Sequence, residues 1–131
     1  MVQALLFHMG RACTGRHDGS GLPRSFRSPV FWFLVALALA AMLLRVVAEE
    51  QPRYEWWKLL FGNLLVVTLI PVLVKKEVIA PAIACFLLLS TAHDFVLALV
   101  GGWIPKEGAF LIEAALGLAL AVDMFNINGD D

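Results

Sequence analysis

The chain has 131 residues, enough for one domain, and 60% of them are hydrophobic, giving a mean hydropathy of +0.80. That is more apolar than a water-soluble core requires, and with 16% charged residues there is no basic patch for nucleic acid, so the composition points to a protein whose main partner is the lipid bilayer. The formal net charge of −1 conceals an asymmetry, because basic and acidic residues fall in different parts of the chain.

Residues 1–29 read as an amino-terminal arm. Val2, Leu5, Leu6, Met9, Ala12 and Cys13 recur at helical spacing and predict a short amphipathic helix, followed by the Gly- and Ser-rich loop "TGRHDGSGLPRS". An arm that contains Arg and Ser and is nearly free of acids has the composition of an organelle transit peptide. It also has that of an interfacial helix lying on the membrane or against a partner, and retention as such a segment is the expectation. The apolar run after Met1 is too short for a secretory signal.

Four apolar stretches then approach the roughly 20 residues that a helix needs to cross a bilayer: 30–48, 57–74, 78–100 and 109–125. Short connections, "EEQPRYEW", "KKE" and "GGWIPKEG", make successive helices antiparallel neighbours, so the expected fold is all-α, an up-and-down bundle of four membrane helices over 30–125. Pro52, Gly101, Gly102 and Pro105 supply the breaks. Pro71 should loosen the end of the second helix, whereas Pro81 falls in the first turn of the third, where a missing N–H costs little. Residues 126–131, "NINGDD", read as a solvated acidic tail.

Charge orients the bundle. Arg11, Arg16, Arg24 and Arg27 of the arm and Lys75 and Lys76 of the second connection belong to one side, which the excess of Lys and Arg marks as cytoplasmic or its equivalent. Both termini then share that side, with a bacterial inner membrane favoured over an organelle membrane. Tyr54, Trp56, Trp57 and Trp103 mark the outer boundary and Trp32 the inner one, as amphipathic rings do at headgroup level.

Polar residues recur at one depth. Asp94 and its neighbour His93 lie about 10 Å below the outer end of the third helix; Arg45, Asn63 and Glu113 lie at comparable depth in the other three. Arg45 shares its side with Ala38, Ala41 and Ala48, Glu113 with Gly117 and Ala121, and Asp94 with Ala80, Ala84, Leu87, Thr91 and Ala98. Small residues let membrane helices approach closely, so these sides are expected to face inward and Arg45 to pair with Asp94, Glu113 or both. His93 is turned about 100° from Asp94 and is expected to look toward a different neighbour. Further inward only Ser90, Thr91 and Thr68 interrupt the apolar residues until Asp123 and Lys75, so no second polar layer is expected to continue the path.

No other chemistry is legible. Cys13 and Cys85 belong to no metal-binding pattern. A haem would need His93 as axial ligand plus a second ligand from another chain. No nucleotide loop and no nucleophile with its base is present, so no cofactor and no enzymatic activity are expected.

The run from "YEWW" through "KKEVIAPA" to "WIPKEGAFLIEAALGLALAV" resembles the phosphate-starvation-inducible PsiE family of small four-helix membrane proteins. The shared features are a Tyr-Glu opening of the second helix, a short inner connection with a proline entering the third, and a proline-containing turn before the last. The resemblance covers about residues 30–125 and implies a four-helix membrane fold, with no defined activity. Two functions stay open: a non-enzymatic accessory subunit of a larger membrane complex, with other membrane-protein subunits as partners and the polar layer fixing helix packing, or a protein that handles protons or small ions through Arg45, His93, Asp94 and Glu113.

Overall fold

The computed structural model describes residues 2–48 and 56–129, with no side-chain placement for Trp56, Gly102 and Lys106. The stretch 49–55 with Pro52 and Tyr54, and the last two residues, lie outside the described residues. Among the described residues the fold is all-α: α1 (Val2–Cys13), α2 (Pro29–Ala48), α3 (Trp56–Leu73), α4 (Ile79–Val100) and α5 (Lys106–Asn128), with single 3-10 turns at Lys76–Val78 and Gly101–Trp103. Three helical stretches, Pro29–Ala48, Lys76–Val100 and Glu107–Asn128, are long and apolar enough to cross a membrane. The 18 residues of α3 span roughly 27 Å, just short of the same length.

α4 is the central element. Every residue from Ala80 to Leu89 is buried, Pro81 included. It packs most extensively on α2, then on α5, α1 and α3. Besides Asp94 and Cys85, the buried polar side chain of α4 is Thr91, whose Oγ1 donates to the Leu87 carbonyl at 2.7 Å.

Directions follow from the contacts. Arg45 meets Asp94 toward one pair of ends, and Phe31 lines a cavity with Ile83 and Leu87 toward the other, so α2 and α4 run parallel. The chain between them must travel back along the fold, which α3 does. α5 is antiparallel to α4, with Cys85 beside Asp123 and His93 beside Glu113.

α5 extends three residues beyond both ends of the apolar stretch 109–125, because Pro105 fixes an extended residue at its start and the polar end is held by side chains. Asn128 Oδ1 accepts from the Lys75 N–H at 2.7 Å and Asn126 Nδ2 donates to the Gly15 carbonyl at 3.2 Å. Residues 126–128 are therefore helical and bonded, where the sequence suggested the start of a solvated tail.

The arm lies on the fold's own α4 and α5. Leu5, Met9 and Cys13 pack on the core and Ala12 is part of it, whereas Val2 and Leu6 are exposed, so the inward stripe is narrower than the periodicity suggested. Beyond α1 the chain doubles back along it. Arg11 donates to the Arg16 carbonyl at 3.1 Å and meets Asp18 at 3.4 Å. Gly21 is required there: its φ is +81°, and a Cβ would stand 2.6 Å from Cε1 of His8.

Candidate functional site

Four of the polar residues named from the sequence meet between α2, α4 and α5. Arg45 Nη1 donates to Asp94 Oδ1 at 3.1 Å, with the two side chains 3% and 5% exposed. Arg45 Nη2 lies 4.0 Å from Glu113 Oε1, and Glu113 is 36% exposed. A guanidinium presents two faces of a planar fork, so one Arg can serve carboxylates from two helices.

His93 belongs to this cluster, and it reaches both its own neighbour Asp94 and a carboxylate of the next helix. Its Nδ1 lies 3.3 Å from Asp94 Oδ1 and its Nε2 3.6 Å from Glu113 Oε1. The turn of about 100° per residue still holds, but an imidazole at the edge of the α4–α5 interface is long enough to reach back to its neighbour's carboxylate and across to the next helix. Asn63 takes a different course: its amide donates to Met42 Sδ at 3.8 Å, which ties α3 to α2 beside the charges.

The inward sides are as expected for Ala38 and Ala41 on α2 and for Ala80, Ala84, Leu87 and Thr91 on α4, all buried, whereas toward the outer ends Ala98 is half-buried and Ala48 exposed. α5 differs. Gly117 and Ala121 are exposed, and the buried positions are Ala109, Ala119, Asp123 and Ile127. Small residues permit a close approach without enforcing one. Here α3 stands off from α5, and a Cβ at Gly117, or at Gly62 of α3, would meet nothing within 4 Å.

The gap between α3, α4 and α5 is a cavity of about 440 Å³. Arg45, His93, Asp94 and Glu113 line it at one level and Lys58 at its outer rim, while Val66, Phe86, Leu89, Leu116 and Leu120 wall the deeper part. Lys58 Nζ stands over the Trp57 ring, 5.4 Å from its centroid.

A second polar cluster, missed from the sequence, joins the arm to the other ends of α4 and α5. Asp123 is fully buried; its Oδ1 accepts the His17 backbone N–H at 3.0 Å, and its Oδ2 lies 3.6 Å from Cys85 Sγ. His17, also fully buried, accepts the Gly19 N–H on Nδ1 at 2.9 Å. Its ring proton therefore sits on Nε2, which faces His8 Nδ1 at 3.1 Å. Burial first, and then the charges of His8 and Arg11, push the His17 pKa down to about 4. Burial, and next the nearby Asp123, raise that of the Cys13 thiol. Asp18 at the surface is held down to about 2, chiefly by the Ser20 hydroxyl and amide.

Of the aromatic anchors, Trp32, Trp57 and Trp103 are exposed, Trp103 to 91%. Trp32 Nε1 donates to the Phe26 carbonyl at 2.6 Å, which fixes the entry to α2. No grouping of His, Cys, Asp and Glu suited to a metal ion occurs among the described residues. No family model, curated protein or solved structure matches the chain.

Proposed function

We propose that the chain is a non-enzymatic integral membrane protein with four crossings, acting as a small accessory subunit of a larger membrane complex, its charged layer fixing how the helices pack. Support for four crossings comes from the parallel α2 and α4, which oblige α3 to return the chain across the same thickness. Arg24 of the arm and Lys75 of the connection before α4 adjoin one cleft with the end of α5, so these two basic groups meet at one end of the fold. By the bias of flanking Lys and Arg that end is the cytoplasmic side or its equivalent, with a bacterial inner membrane favoured. The resemblance to the PsiE family fits the same arrangement.

The observation that carries the subunit reading is the outer side of α3. Phe61, Leu65, Leu69 and Val72 are exposed there while the helix packs chiefly on α4. Membrane helices hold together by packing and hydrogen bonding, since lipid tails are as apolar as Leu, and a helix supported along one side is suited to receive a partner's helix. A photo-reactive benzoylphenylalanine placed at Phe61 should give one discrete adduct with another membrane protein in native membranes, and the wild-type chain should co-migrate with it on a native gel. A stable monomer that yields no adduct would contradict this.

The reading as a proton- or ion-handling protein is favoured by a different observation, the partial exposure of Glu113 to a cavity beside His93. Ionisable residues at membrane depth are costly, and they cluster where something passes or binds.

A further inference from the structure

We infer that the cavity between α3, α4 and α5 is a binding site for an apolar organic cation, an ammonium or its equivalent on a hydrophobic body, that exchanges with a proton at Glu113.

Charge and exposure choose the ligand. Arg45 and Asp94 are buried against each other, which leaves Glu113, at 36% exposure, as the member of the layer most open to the cavity. Lys58 remains at the rim over Trp57. Below the charges the walls are Val66, Phe86, Leu89, Leu116 and Leu120, with Ser90 the one polar group among them, which suits a mainly apolar body lying toward the bilayer centre. From Lys58 to Val66 the cavity runs about 12 Å along α3, the depth of a headgroup followed by the start of a chain.

His93 supplies the proton linkage. Its Nδ1 faces Asp94 Oδ1, which as a carboxylate calls for the ring proton on that nitrogen. Nε2 is buried with no hydrogen-bond partner and lies 3.6 Å from Glu113 Oε1. A lone pair opposite a carboxylate is repelled, whereas one proton held between the two relieves this. A cation arriving at Glu113 replaces that proton and keeps the same charge, with the proton released to water. Gly62 and Gly117 leave the room: both line the cavity, and neither has an atom within 4 Å of where a Cβ would be.

The inference rests on the membrane-spanning reading above, and extraction by alkaline carbonate would overturn that reading separately. Binding is measured with tetraphenylphosphonium, whose charge does not change with pH, on the full chain in dodecylmaltoside. Wild type should bind saturably, with affinity falling as pH is lowered, up to tenfold per unit where one proton is exchanged per cation. Glu113→Gln should weaken binding at least tenfold and flatten that slope. Gly117→Leu, whose Cβ meets nothing within 4 Å and whose side chain would enter the cavity, should abolish binding at an unchanged melting temperature. Competition by phosphatidylethanolamine but not phosphatidylglycerol would assign the site to a lipid amine; competition by neither, with binding intact, would assign it to a free cation. No saturable binding by wild type, or undiminished binding by Glu113→Gln or Gly117→Leu, would overturn the proposal.

Discussion

Arg45→Leu is expected to cost about 3–5 kcal/mol of stability, the range typical of removing one partner from a buried charged pair. Asp94 is 5% exposed and receives the guanidinium at 3.1 Å; without it, the buried carboxylate keeps only the His93 ring as a partner, with a second carboxylate on α5 across that ring. Arg45→Lys should fall between wild type and Leu, because an ammonium is a point charge without the fork that reaches two helices. The triple change Arg45→Leu, Asp94→Asn, Glu113→Gln should recover much of the loss, since the unpaired charges disappear together. Thermal melting of the four proteins in one detergent decides. If Arg45→Leu melts with wild type and the triple change brings no recovery, Arg45 reaches the headgroups unaided and does not hold the layer together.

Asp123→Ala is expected to release the arm. The His17 N–H would lose its acceptor inside the fold, a penalty of about 1–3 kcal/mol, and the loop that closes over α5 would keep only the Asn126 bond to the Gly15 carbonyl as a side-chain hydrogen bond to that helix. Limited trypsin digestion should then cut at Arg16 in the variant at a protease level that leaves the wild-type arm whole; equal cleavage would remove Asp123 from that role. Acid should act on the same contact. The ordinary His17 pKa of 6.5 is lowered to about 4 in the fold, so the released arm binds the proton more readily than the docked one. The contribution of His17 itself to docking is therefore full above about pH 6.5 and is lost as pH falls toward 4. Protonation would place a hydrogen on Nδ1, where Gly19 already donates. Asp18, held near 2, does not titrate in that window. Amide hydrogen exchange over residues 14–22, corrected for intrinsic rates, should accelerate between pH 6.5 and 4, and a flat profile would contradict the assignment.

The helices and the charged layer were legible for different reasons. Apolar length alone located α2, α4 and the body of α5. Arg45 and Asp94 could be turned toward each other because both lie on Ala-rich sides of helices that pack closely. The same rule misled on α5, where Gly117 and Ala121 border a cavity or the outside, and the buried series runs through Ala119, Asp123 and Ile127. That series repeats at four-residue spacing, so Asp123 on an otherwise apolar stripe was a readable signal. His17 was not readable. It meets Asp123 from 106 residues away, in a loop whose glycines and charges carry no periodicity, and only the folded arm brings the two together. His93 was placed in the layer by its depth, and its ring, at an interface, reaches Asp94 as well as Glu113 on the next helix.

Whether α3 crosses the bilayer is decided most directly by single cysteines at Ser20, Lys76 and Trp103, placed in a chain lacking Cys13 and Cys85. They would be labelled with a membrane-impermeant maleimide in vesicles of known orientation. Four crossings place Ser20 and Lys76 on the same side and Trp103 on the other. Labelling of Ser20 and Lys76 from opposite sides would mean that α3 does not cross and that the chain traverses the membrane three times.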